Sequence, residues 1–268
     1  MFGSLAPARR RLVLVVLTGL LVLACVAVLL AVRSGGRAAV GRRAEQGLPG
    51  PVLLVPGYGG STAGLQPLAS RLRATGRDVT VVSLPDNAQG DLTAQARVLG
   101  AAAAAVLART GGESVDVVGY SAGGVVARIW LKQLGGAAVT RRLVTLGSPQ
   151  HGTALAELGS LFQGECPLAC QQLVPGSTVL DALNAAPELP PGPVVVSLWS
   201  SKDQVVLPPD SATLAGAVNV QLQQVCPDSV VDHTQLPADP LVAGLVQASL
   251  AAAVPTGFGP GDCARLGG

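Results

Sequence analysis

The chain has 268 residues, 49% of them apolar and 13% charged, which suits one large domain with a substantial core. Seven of its 18 basic residues precede residue 44 and none of its 16 acidic residues does, leaving 11 basic against 16 acidic groups beyond that point. A net-acidic body lacks the electrostatic footprint of a nucleic-acid binder, so no nucleic-acid partner is expected.

Residues 1–11 form a basic tail that ends in Arg9, Arg10 and Arg11. Residues 12–32, LVLVVLTGLLVLACVAVLLAV, carry no charge. That run is long enough to cross a bilayer as a helix. It also exceeds the apolar region of a typical signal peptide, about 7–15 residues. The reading is a transmembrane signal-anchor in the cell membrane, the folded body lying outside the cytoplasm. A cleaved signal peptide and a secreted protein is the alternative, and Val22-Leu23-Ala24-Cys25 loosely resembles a lipoprotein cleavage site. The arginines do not decide orientation: three precede the span, and Arg33, Arg37, Arg42 and Arg43 follow it. Residues 33–50 are rich in Gly and Arg, lack apolar periodicity and read as a linker.

Beyond it, residues 51–268 alternate apolar runs with helical patterns. Strands are expected at 51–55, 78–84, 115–119, 142–146, 193–199 and 217–222. Helices are expected at 65–74, 92–109, 123–134 and about 241–253. The strand runs are continuously apolar, as in a parallel sheet covered on both faces. About six such strands make an open α/β sandwich. Residues 152–191 break the alternation with two short helical pieces (153–162 and 179–185), two cysteines and many Pro and Gly. An insertion that long reads as a lid. Its leucines and phenylalanine (Leu155, Leu158, Leu161, Phe162, Leu168) either serve an apolar ligand or pack the core.

Four cysteines remain outside the apolar run, Cys166, Cys170, Cys226 and Cys263. Their spacing matches no paired zinc motif, and an even number suits two disulfides in an oxidising compartment. Of the three pairings, Cys166–Cys170 with Cys226–Cys263 is favoured; free buried thiols are the alternative. Neither a metal nor an organic cofactor is indicated, and no protein partner is predicted.

Ser121 lies in VDVVGYSAGG, directly after a strand and before a helix. Ligands of open parallel sheets bind at the carboxyl ends of the strands. A serine on such a sharp turn is a nucleophile candidate, with Gly119 and Gly123 removing Cβ atoms where strand and helix nearly touch. A hydroxyl needs a base, and the base needs an orienting acid. The chain has two histidines. His233 follows the last strand and leaves room upstream for an acid at a strand end. His151 does not, and is expected to shape the pocket wall. The acid is Asp203, just past the strand ending at Trp199. Oxyanion donors are the N–H groups of Ala122 and of Tyr58, in the loop after the first strand of the body.

Together, and in this order, PVLLVPGYGG, VDVVGYSAGG, LVTLGSPQHGT, SLWSSKDQVV and VVDHTQLP resemble the small secreted bacterial lipases and esterases of the α/β-hydrolase fold. The resemblance spans roughly residues 50–250. It implies Ser121, Asp203 and His233 as catalytic triad, Tyr58 and Ala122 as oxyanion hole, and an ester or lipid substrate. Pro56 and Gln150 stand where many of these lipases carry His, which bears on pocket polarity. An acyltransferase using the same acyl-enzyme, or a non-catalytic membrane-anchored binding protein, are the alternatives.

Overall fold

The computed structural model describes residues 17–19, 44, 46–161, 166–253 and 256–267; for 158–161 only the backbone is described. Apart from 17–19, the expected membrane span at 12–32 lies outside these residues. Among the described residues, no helix is long and apolar enough to cross a membrane. The chain divides into a unit at 1–42 and a unit at 43–268.

In the second unit, six parallel strands form one sheet: β1 (Val52–Val55), β2 (Val79–Val81), β3 (Val115–Tyr120), β4 (Thr140–Leu146), β5 (Val194–Trp199) and β6 (Val218–Gln221). Their order is β2-β1-β3-β4-β5-β6. The direction of succession reverses beside β1, so the chain leaves β1 and β3 toward opposite faces of the sheet, and ligands of such sheets bind at the carboxyl edge near this switch. The fold is that of the α/β-hydrolases.

Alternate strand residues feed two cores, as the period of two requires. Leu53, Val55, Val117, Leu143 and Val195 face α2 (Leu92–Thr110) and α3 (Ala122–Gln133). Val52, Leu54, Val118, Val144 and Val196 face α1 (Gln66–Ala74) and α8 (Pro240–Ser249). Each fully buried Leu or Val contributes roughly 1.5–3 kcal/mol relative to exposure. Helix ends follow local chemistry. Asp91 accepts from Ala94 N–H at 2.7 Å to open α2, and Gly111, at φ 67°, closes it. Asp239 accepts from Val242 N–H at the start of α8, where Pro240 takes the first turn.

Between β4 and β5 the insertion folds as α4 (Ala154–Leu161), α5 (Leu168–Gln172) and α6 (Thr178–Asn184), and α7 (Leu222–Val225) follows β6. The short α5 and α7 match no helix expected from the sequence. The expected strand at 78–84 is cut to Val79–Val81: after Pro85 the chain turns through Asp86, Asn87 and Ala88, all at φ 51–54°. The final helix stops at Ser249 rather than near 253.

The amino end of the sheet is closed by buried charge. Asp116, fully buried, pairs with Arg77 and accepts from Arg141 Nε (2.9 Å) and Nη2 (2.7 Å). Arg141 also donates to the carbonyls of Leu250 and Ala251, and Arg77 to that of Gly50. Gln46 bonds Arg142 through its side chain and Arg141 through its carbonyl. The end of the segment expected to be a linker is thus fastened to the body.

Both favoured disulfides are present, Cys166–Cys170 and Cys226–Cys263, with Cα–Cα separations of 5.3 and 5.1 Å.

Candidate active site

Ser121 sits between β3 and α3 at φ 52°, ψ −127°. A non-glycine residue with positive φ costs of order 1–3 kcal/mol and persists only where its surroundings fix it. Here Ser121 N–H donates to Leu146 O at 2.8 Å. The glycines around it are packing requirements. A Cβ on Gly119 would lie 2.5 Å from Gly124 Cα, and one on Gly123 would lie 2.4 Å from Val55 O. Gly57 and Gly124, which no expectation from the sequence singles out, are equally constrained: their Cβ atoms would meet Ser121 Cβ at 2.8 Å and Ser148 Oγ at 2.0 Å.

The three side chains expected from the sequence meet at the carboxyl edge of the sheet. His233 Nε2 lies 3.0 Å from Ser121 Oγ, and His233 Nδ1 lies 2.7 Å from Asp203 Oδ2. The second carboxylate oxygen, Oδ1, accepts from Val205 and Val206 N–H, both at 2.8 Å, so the backbone holds the carboxylate from behind. Both side chains of the pair are almost wholly buried, which keeps water from competing for the bond. Gly147, at φ 53°, forms one wall: a Cβ there would fall 2.5 Å from Leu236, 3.0 Å from Asp203 Oδ2 and 3.2 Å from His233 Nδ1. Its only trace in the sequence is a Gly directly after a strand.

Tyr58, in the loop after β1, lines the same cavity as Ser121, and Ala122 follows the serine directly in the chain. The loop after β1 runs so close to Ser121 that Gly57 has no space for a Cβ. Ala122 opens α3, whose first N–H groups have no partner within the helix. A cavity of about 240 Å³ opens on Ser121. Its walls are mostly apolar, among them Leu155, Ala156, Leu173, Val205 and Val206. Leu155 and Leu168 are a little under half exposed, while Leu158, Leu161 and Phe162 lie outside the described side chains.

His151 does not line this cavity among the described residues, contrary to expectation. Its ring bonds Glu188 at 3.1 Å and Ser211 O at 3.2 Å, because the chain turns away after Pro149. Arg128, fully buried in α3, donates to Leu183 O (3.0 Å) and Asn184 Oδ1 (2.8 Å), and Lys132 to Leu183 O (2.7 Å). The two cations cap the carboxyl end of α6, where the helix dipole favours positive charge. Burial lowers the Arg128 pKa to about 10, which leaves it charged at neutral pH. Among the described residues, no three His, Cys, Asp or Glu side chains gather closely enough to hold a metal ion.

Fold and site geometry together describe an α/β-hydrolase fold with a serine, a histidine and an aspartate in hydrogen-bonded line. The family model described as lipase (class 2) matches residues 95–241, more than half of the chain, and the chain belongs to that family. Among solved structures it is similar to lipase B of Aspergillus fumigatus, at 22% identity and TM-score 0.68, over 86% of this chain and 59% of that one. It is also similar to mature lipase BlEst2 of Bacillus licheniformis, at 19% identity and TM-score 0.64, over 78% and 94%. The chain thus spans about three fifths of the Aspergillus protein. No curated protein sequence matches it.

Proposed function

We propose that the protein is a serine carboxylic-ester hydrolase of the lipase and esterase type, acting on esters with apolar acyl chains. The observation that carries this reading is the pair of contacts through one imidazole: 3.0 Å from Nε2 to the Ser121 hydroxyl and 2.7 Å from Nδ1 to Asp203. In the proposed reaction, Ser121 Oγ attacks the ester carbonyl carbon and its proton passes to His233 Nε2. Asp203 holds the tautomer and stabilises the imidazolium. The amides of Tyr58 and Ala122 receive the oxyanion, each worth about 3–4 kcal/mol of transition-state stabilisation. The imidazolium protonates the leaving alcohol as the carbon–oxygen bond breaks. Water, deprotonated by His233, then attacks the acyl-enzyme; the proton returns to Ser121 Oγ and the carboxylic acid departs.

Membership in the lipase (class 2) family supports the ester substrate, and the apolar walls of the cavity support the acyl preference. The two disulfides support an oxidising, extracytoplasmic location. Anchoring through residues 12–32 belongs to the same proposal; the amino terminus of the mature protein tests it, a start near residue 38–45 indicating cleavage instead.

The decisive experiment treats the full chain with a fluorophosphonate probe and with p-nitrophenyl esters of graded length. Labelling maps to Ser121, and Ser121→Ala loses both label and turnover. Efficient hydrolysis by Ser121→Ala overturns the assignment.

A further inference from the structure

Tyr120 is the last residue of β3, immediately before Ser121. Its side chain packs against the core on the α1 and α8 face, and it is absent from the cavity lining. Its hydroxyl donates to the main-chain carbonyl of His233 at 3.1 Å. Its ring lies beside the imidazole, with centroids 5.2 Å apart and planes inclined by 35°.

These contacts matter because of where the histidine is. Between Val225, the end of α7, and Pro240, the start of α8, the chain forms neither helix nor strand. The segment is braced locally by Asp232, whose Oδ1 accepts from Gln235 N–H (3.0 Å) and from the Thr234 hydroxyl (2.8 Å). Within the segment, the His233 carbonyl receives only the long Leu236 N–H contact of 3.4 Å. Asp203 holds one ring nitrogen, while the direction of the other also depends on where the His233 main chain sits. The end of β3 supplies a contact to that main chain through the Tyr120 hydroxyl. Burial, followed by the negative charges of Asp203 and Asp232, raises the Tyr120 pKa to about 12, so the hydroxyl remains a donor across the physiological range.

We infer that Tyr120 is a positioning residue for the base: it pins the His233 main chain and flanks its ring, holding Nε2 on Ser121 Oγ. The inference rests on the ester-hydrolase reading above. It extends that reading by tying nucleophile and base to the end of one strand, so that both shift together.

The test is a double-mutant cycle on the full chain, read with a p-nitrophenyl ester. Tyr120→Phe keeps the ring and removes the donor. It lowers kcat about threefold to tenfold, the scale of one hydrogen bond. KM stays within about twofold, because the substrate does not touch Tyr120. In an Asp203→Asn background, where the imidazole has already lost its tautomer and aim, the same change alters kcat by less than about twofold. A purely structural role predicts equal losses in both backgrounds, and that result overturns the inference. So does a Tyr120→Phe enzyme with wild-type kcat. If the wild type neither turns over esters nor takes the fluorophosphonate label, the hydrolase reading has failed and the Tyr120 assignment falls with it. If the wild type does both and only the cycle disagrees, the failure belongs to Tyr120 alone.

Discussion

Gly147 shows how a residue without a functional group can constrain the Asp203–His233 pair of the candidate site. A methyl group there would overlap the end of Leu236 and crowd Asp203 and His233, and the backbone at φ 53° disfavours a side chain. Gly147→Ala therefore presses on Leu236 and on both partners of the Asp203–His233 bond. The expected result is a kcat at least about tenfold lower, since misplacement by about 1 Å can cost a hundredfold. Fluorophosphonate labelling should slow in parallel, and unchanged kinetics would refute the packing argument. Ser121, Asp203, His233 and the glycines flanking Ser121 are legible in the sequence because each lies in a strand-end motif a few residues long. Gly147, Tyr120 and Gly57 are not, because their importance arises from residues up to 113 positions away that the fold brings against them.

Among the elements, α3 is fixed at both ends. Its first turn carries the site, and Arg128 and Lys132 further along hold the carbonyls that end α6. The base of the insertion is thereby fastened to the same helix that follows the serine. A second fastening, Cys226–Cys263, joins the end of α7 to the carboxyl-terminal segment across 37 positions. Closing a loop of that length limits the unfolded ensemble by about 4 kcal/mol. The paired change Cys226→Ser with Cys263→Ser should lower the denaturant midpoint accordingly, and a midpoint within error of wild type would count against it. The long elements are readable because a continuous apolar run or a helical period is a local property. The five-residue α5 and four-residue α7 are too short to carry a period. The left-handed turn at 86–88 that follows the shortened β2 is announced by no glycine.

For the molecule as a whole, the parallel architecture and the position of the site at its carboxyl edge can be read from the alternation of elements. The charged closure of the opposite edge cannot, since Asp116, Arg77 and Arg141 sit in unremarkable contexts along the chain. Asp116→Asn would leave two guanidinium groups facing each other with their shared anion gone. Breaking a buried ion pair in this way costs about 3–5 kcal/mol. Urea denaturation should register that loss while the ester kinetics of the folded fraction stay unchanged; a variant as stable as wild type would show the cluster to be dispensable. The separation of His233 from Ser121 has a consequence of a different kind. In the proposed mechanism the proton acceptor is made 112 residues after the hydroxyl it serves. On that proposal a ribosome must finish most of the polypeptide before hydrolytic competence can arise, and every shorter nascent intermediate is inert toward esters.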